Sequence, residues 1–238
     1  MKKLKTSSHG YTFVWADIVP AEEAAFNHWY NTEHVSDRVL HLPGYISGRR
    51  FMAIDGGPKY IAVYRTTDLD IFRSPEYLAL QSAPDPKSKY FIPMFHNVTK
   101  SFFRITWEWG SAEGGSLALL ALSIPKNDTA QKMRSQLIEA LEKTSQIPGI
   151  VSARLIETDW DLVKIVTAQF LRKTDRYIDA AVLVEAIDVQ ALQRVMDQWI
   201  VPACQPWPDS MPDQKPTYFD HLLSYHAPVS KSKLCNGD

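Results

Sequence analysis

The run Trp29-Tyr-Asn-Thr-Glu-His-Val-Ser-Asp-Arg38 gathers two aromatic rings, two carboxylates, an imidazole and a guanidinium within ten residues. Tyr30, His34 and Arg38 fall four apart, which places them along one stripe of a helix. Glu33 and Asp37 repeat that spacing on the neighbouring stripe. An unperturbed imidazole titrates near ~6.5, so it can take and return a proton around neutrality. A guanidinium one turn away can hold a substrate carboxylate or stabilise an enolate oxygen. His34, Arg38 and Tyr30 are therefore the candidate catalytic set, a proton shuttle with an anion stabiliser, and Trp29 is expected to shape the wall. The competing reading makes His34 a helix-surface histidine and pairs Arg38 with Glu33 or Glu108.

Further candidates lie outside this helix. Phe95 and His96 follow a stretch punctuated by Pro84, Pro86 and Pro93 and open a strand, where they can overhang a pocket mouth. Arg49 and Arg50 point to opposite faces of their strand, so one of them can enter a pocket; Arg49 is kept as a candidate. Tyr64 offers a pocket hydroxyl. Trp15 and Asp17 alternate with Tyr11 and Phe13 on one strand face, which makes both candidates for substrate contact. No metal centre is expected, because His34 with Glu33 or Asp37 lacks the two-histidine spacing of helical zinc sites. Gly56-Gly57 and Gly114-Gly115 sit in turns without the spacing of a phosphate loop, and no Ser or Cys lies in a nucleophile motif. No cofactor is expected.

These side chains need a scaffold, and the sequence outlines one. Residues 10–20 read as a strand and 21–41 as a helix stopped by Pro43-Gly44. Strands at 45–54 and 59–66 follow, then a helix at 68–81 with a break at Pro75, a proline-rich loop, and a strand at 97–109. That order is β-α-β-β-α-β, the split ferredoxin-like unit. Residues 110–115, Gly-Ser-Ala-Glu-Gly-Gly, form a small polar seam. The pattern then restarts with a strand at 117–124, an amphipathic helix at 128–145, strands at 150–157 and 180–187, a helix at 189–200 and a strand at 217–225. Leu42-Pro-Gly-Tyr-Ile-Ser-Gly-Arg49 matches Ile147-Pro-Gly-Ile-Val-Ser-Ala-Arg154 at a constant offset of 105. Tyr60 to Asp68 resembles the region from Tyr177 to Asp188 after an insertion around 159–175. Two ordered matches make duplication the better account. The expected domains are residues 9–109, carrying the site, and 116–228, completing the fold, with 229–238 as a disordered tail.

Composition narrows the partners. The chain has 238 residues, 45% hydrophobic and 22% charged, with a formal net charge of -1, and no clustered excess of Lys and Arg that would mark a nucleic-acid surface. No apolar run approaches the ~18 residues of a membrane span, and the N-terminus lacks a signal-peptide core. Cys204 and Cys235 are too few for a disulfide framework or a zinc site. A cytoplasmic protein with a small-molecule substrate, no nucleic acid and no membrane is expected, and a homodimer is left open.

The motifs also carry a resemblance. Trp29-Tyr30, Glu33-His34-Val35, Asp37-Arg38, Pro43-Gly44 and Arg49-Arg50 resemble the stretch Trp-Tyr-x-x-Glu-His-(Ile/Val)-Pro-(Glu/Asp)-Arg, then Pro-Gly, then an arginine-bearing strand, of the EthD-like proteins in the dimeric α+β barrel superfamily. Ser74-Pro-Glu-Tyr-Leu-Ala79 and Asn97-Val-Thr-Lys-Ser-Phe-Phe-Arg104 are similar as well. Ser36 stands where the usual proline would be, so the helix is expected to run straighter there. The motif match covers about residues 10–105; the second half matches in topology. The resemblance implies an α+β fold in which two tandem ferredoxin-like units pair their antiparallel sheets into a barrel. It implies pockets between sheet and helices and mostly cofactor-free chemistry: isomerisation, cyclisation, dehydration, decarboxylation and some oxygenations, with haem in some branches.

Applying the offset of 105 sets His34 opposite Glu139, Tyr30 opposite Ser135 and Trp29 opposite Arg134, ordinary outer-face residues, so the chemistry is expected in the first half only. The functional expectation is a cofactor-independent enzyme using His-centred acid/base chemistry on a small apolar, aromatic or polyketide-like molecule. Lyase chemistry, such as decarboxylation or elimination of a small fragment, ranks first, then isomerase or cyclase, then oxygenase. The alternative is a non-catalytic protein that binds a hydrophobic small molecule or haem.

Overall fold

The computed structural model describes residues 9–167, 175–211 and 215–228; the expected tail at 229–238 and Cys235 lie outside them. Eight antiparallel strands close into one barrel in the order β1-β3-β2-β8-β5-β7-β6-β4. The first half of the chain supplies β1 (Gly10–Ile18), α1 (Glu23–Trp29), α2 (Val35–His41), β2 (Tyr45–Ala53), β3 (Tyr60–Thr66), α3 (Pro75–Ser82), α4 (Pro86–Phe91) and β4 (Phe95–Trp109). The second supplies β5 (Ser116–Leu122), α5 (Thr129–Thr144), β6 (Ile150–Thr158), α6 (Trp160–Thr167), β7 (Ala180–Ala186), α7 (Val189–Val195), α8 (Val201–Cys204) and β8 (Thr217–His226). This is the α+β barrel of tandem ferredoxin-like units that the resemblance implied, closed within a single chain. No helix among the described residues is long and apolar enough to cross a membrane.

Strand alternation divides the molecule into three cores. Tyr11, Phe13, Trp15, Phe51, Ile61, Phe103, Leu119, Ile156, Leu183 and Phe219 fill the barrel interior. The opposite faces of the strands pack against helices in two layers, one per half of the chain. The first layer is aromatic, with Phe26, Trp29, Tyr30, Tyr45, Tyr64, Phe72, Tyr77, Phe91, Phe95 and Phe102. The second is aliphatic, with Leu120, Leu122, Met133, Leu137, Leu141, Leu155, Val182, Val184, Leu192 and Ile200.

The repeat read at offset 105 has a structural counterpart. Gly44 and Gly149 both adopt positive φ, 83° and 90°, the conformation that ends a helix on glycine. The strands that follow, β2 and β6, bury their nine residues in the same order. The offset extends back through α2, whose buried Val35, Ser36 and Val39 lie 105 residues before the buried Ala140, Leu141 and Thr144, and fails further upstream. Between α1 and α2 the residues Tyr30–His34 form a π turn, with Val35 N–H donating to the Tyr30 carbonyl; α5 is regular throughout. Upstream of α2 the buried Phe26 and Tyr30 have the spacing of Met133 and Leu137, 107 further on. Ser36 lies within α2, and its hydroxyl donates to the Thr32 and Glu33 carbonyls.

The expected loop after residue 81 contains α4. Asp85 caps it by accepting from the Lys87 and Ser88 amides, and Pro86 occupies the first helical position. Both are standard start signals. The break expected at Pro75 is a short 3-10 turn (Asp70–Arg73) before α3, whose N-cap Ser74 accepts from the Tyr77 amide.

Candidate active site

A cavity opens between the helices of the first half and the outer faces of β1, β2, β3 and β4. Its free volume is about 110 Å³, and the cleft with its open mouth encloses about 930 Å³. His34, Arg38, Tyr30, Tyr45, Tyr64, Tyr77, Phe95, Phe102 and Lys100 are among its walls. The π turn preserves the alignment of Tyr30 with His34: their rings are 4.5 Å apart.

His34 is 8% exposed. Its Nδ1 is buried without a hydrogen-bond partner, and Nε2 makes no hydrogen bond among the described residues. Buried polar atoms are rarely left this way. Burial, followed by the positive charges of Arg38 and Arg50, holds its pKa well below the ordinary 6.5. The imidazole is thus neutral at pH 7. That corrects the expectation of a group titrating near neutrality: in this position the ring is uncharged, with one nitrogen a donor and the other an acceptor.

Arg38 anchors its Nη1 on the His34 carbonyl at 3.0 Å. No carboxylate among the described residues lies within ion-pair reach of it. Glu33 is engaged by Lys87, at 2.6 and 2.8 Å. Glu108 lies in the barrel interior with Arg65 and Arg154, so neither partner of the competing reading reaches Arg38. Arg50, 1% exposed, backs the wall from below. Its guanidinium lies over the rings of Tyr30 (4.4 Å), Tyr60 (5.0 Å) and Phe26 (5.2 Å) and donates to the side-chain carbonyls of Asn27 and Asn31. Two guanidinium groups thus stand beside the cavity without a carboxylate in ion-pair contact; Asp85 feels the charge of Arg38 from further off, and Asp175 is among the lining residues.

The remaining walls are phenols. Burial raises the pKa of Tyr45, Tyr64 and Tyr77 above the ordinary phenol value, so these groups are neutral donors. Tyr64 lies 3.5 Å from the Tyr30 hydroxyl, while the hydroxyls of Tyr45 and Tyr77 make no hydrogen bond among the described residues. Lys100 stands at the rim, 3.6 Å from Asp175.

The sequence candidates divide by strand face. Tyr30, His34, Arg38, Tyr64 and Phe95 line the one cavity. Trp29 does not: it is buried behind His34, stacked on Phe91 at 4.8 Å, because its position on the helix turns it toward α4. Arg49, Trp15 and Asp17 also lie apart. Arg49 faces the barrel interior and pairs with Glu185, since it has the opposite parity to Arg50. Trp15 shares the interior with Phe219 and donates from Nε1 to the Pro58 carbonyl at 2.7 Å. Asp17 accepts from the Lys59 amide (2.7 Å) and Asn97 (2.8 Å) and ties strand ends together. His96 is exposed and borders an open groove at the other end of the barrel. Sequence reasoning missed Tyr45, Tyr77, Phe102 and Lys100 as wall residues. The Pro-Gly before Tyr45 and the Ser-Pro cap before Tyr77 fixed their elements, and strand parity aligns Lys100 and Phe102; which face met the helices was not written in any single strand.

Two other chemistries lack parts here. Among the described residues no three His, Cys, Asp or Glu side chains are placed to hold a metal ion. Cys204 is buried in the second layer, where burial pushes its thiol up to about 12, far from a nucleophile's range.

No family model matches the chain, and no curated protein matches it in sequence. Solved structures do match in shape. A putative monooxygenase from Fusobacterium nucleatum superposes with a TM-score of 0.62 at 8% identity, covering 93% of this chain and 96% of the other. An anthrone oxidase-like protein gives 0.59 at 10% identity, covering 94% of each. A putative chlorite dismutase gives 0.55 at 14%, covering 90% and 95%. At such identities the likeness concerns the backbone, and what it establishes is the fold: a ferredoxin-like α+β barrel with both halves in one chain.

Proposed function

We propose that this protein is an enzyme that uses His34 as general base to deprotonate a small phenolic or enolisable aromatic molecule, with Arg38 holding the oxyanion that forms. The observation that carries this reading is the pairing of a buried imidazole with no hydrogen-bond partner among the described residues and a guanidinium with no carboxylate in ion-pair contact. A neutral base can accept a proton without first losing one, and the nearby positive charge favours an anionic product over the neutral substrate. The phenol walls supply neutral donors and flat apolar surface. The inner chamber, about 110 Å³, suits one ring, given that a ~150 Å³ apolar cavity takes benzene, with the rest of the molecule in the outer cleft. The inner chamber alone is smaller than a porphyrin.

The anion can then lose a small fragment or react with O2. Fragment loss needs only the parts named. Oxygenation draws support from the names of the similar structures, a putative monooxygenase and an anthrone oxidase-like protein, and it balances as ring CH2 + O2 → C=O + H2O. We place oxygenation first on that ground, ahead of decarboxylation. A panel of hydroxylated aromatic acids and anthrone-type ketones, screened first by thermal shift and then for O2 uptake and CO2 release, tests it. Ligands that raise the melting temperature and are consumed with O2 uptake support the reading. Binding without turnover of any ligand by either route would leave a binding protein instead. Arg38→Met is expected to cut turnover by about 10²-fold or more while apolar ligands still bind.

A further inference from the structure

At one end of the barrel the inward-facing side chains change from rings to charges. Arg49, Arg65 and Arg154 meet Glu108 and Glu185 from the strands and Glu113 from the 110–115 connection. They surround a second cavity of about 90 Å³, lined also by Tyr11 and His226. At ~10–15 Å³ per water-sized group it has room for several such groups. The sheet itself separates it from the His34 cavity.

We propose that this cavity is a second ligand site, which takes a small carboxylate anion in exchange for the carboxylate of Glu113. The donors there are not used up. Arg154 is 3% exposed, and its Nε is buried without an acceptor; Glu108 Oε2 lies 3.5 Å away, an ion pair rather than a hydrogen bond. The Nε of Arg65 is equally without a partner. Tyr11, 6% exposed, lines the cavity, and its hydroxyl makes no hydrogen bond among the described residues. Glu185 is already engaged: it takes Arg49, Arg154 Nη1 at 3.1 Å and the Gly114 amide at 3.0 Å.

Glu113 marks where a carboxylate sits. Its Oε2 is 3.3 Å from Arg49 Nε and 3.5 Å from His226 Nε2. Its side chain is 39% exposed against 9% for Glu185, and it reaches in from a chain connection rather than from a strand, so it is the member of the cluster that can leave. Its departure leaves three guanidinium groups facing two carboxylates, an excess that favours an anion over a cation. Arg49 already donates to Ser224, Glu185 and the Gly114 carbonyl, so the donors open to a free carboxylate are the Nε groups of Arg154 and Arg65, which form charge-assisted bonds to it.

The test is titration of the full chain with acetate and succinate, against chloride at matched ionic strength and inorganic phosphate, read by calorimetry and thermal shift. Saturable carboxylate binding above the chloride response is expected. Glu113→Gln, which weakens the internal competitor, should tighten it about tenfold; Arg154→Met should abolish it; His34→Leu should leave it unchanged. Should Arg154→Met fail to fold, Tyr11→Phe should still weaken binding severalfold. A carboxylate response equal to chloride, or unchanged affinity in Glu113→Gln, overturns the proposal. Phosphate binding more tightly than either carboxylate overturns the ligand class, and loss of binding in His34→Leu would place the anion in the other cavity.

Discussion

The two helix layers rest on matching strands and carry opposite interiors. In the first, Phe26, Tyr30 and His34 face the sheet across a cavity. In the second, Met133, Leu137 and Leu141 occupy the same spacing, each 0% exposed. Glu139 and Arg134, which the fixed offset set against His34 and Trp29, look outward and pair with Lys143 and Glu157. Filling a layer with branched aliphatic side chains leaves no room for a ligand, and lining it with rings, hydroxyls and a guanidinium leaves space that packing alone does not close. One layer is closely packed and the other encloses a cavity.

The largest test of that contrast is His34→Leu. Turnover should fall by about 10²–10⁴-fold, while stability in chemical denaturation holds or rises, because the lost nitrogens had no partners. A stability loss with turnover intact would make His34 a packing residue and erase the difference between the layers. Next, Leu137→Ala should cost about 2–5 kcal/mol and leave the kinetics of the folded enzyme unchanged; a fall in kcat without unfolding would mean that the second layer takes part in the chemistry.

The two Pro-Gly turns offer a finer comparison. Alanine at either glycine must adopt positive φ, at a cost of about 1–2 kcal/mol. At Gly44 the new Cβ would also run into the Ile71 side chain, whereas at Gly149 its nearest neighbour is Ala191 Cβ at 3.2 Å. Gly44→Ala should therefore melt lower than Gly149→Ala; the reverse order would show that the turn beside the cavity is the more yielding one. The smallest effect is in pH. His34 has a folded pKa depressed below 6.5, so on acidification the unfolded chain takes up its proton first. Its contribution is fully present above pH 6.5 and is lost as the pH falls from there toward the folded value. His34→Leu should flatten that part of the stability-pH profile, and an unchanged slope would show the ring to be solvated.

Periodicity made the strand order, the helix stop at Pro43-Gly44 and the duplication legible, because each rests on local spacing. The stripe Tyr30-His34-Arg38 was legible for the same reason. Strand parity was legible only in relative terms: Tyr11, Phe13 and Trp15 share a face, yet one strand cannot say whether that face meets helices or the barrel interior. That gap misplaced Trp15 and Arg49. Trp29 illustrates another limit, since adjacent helix residues that are both buried carry no sign of which one meets a ligand. The π turn left no pattern that was read, and the depressed basicity of His34 depends on burial and on Arg50, which comes from a different strand.

A ring of strands has no ends. Among the described residues every strand has a hydrogen-bonded neighbour on each side along part of its length; one-sided stretches remain, such as the far end of β4 beyond Arg104 and the end of β5 beyond Leu119. No strand therefore offers a whole open edge to a second copy or to an unfolded chain.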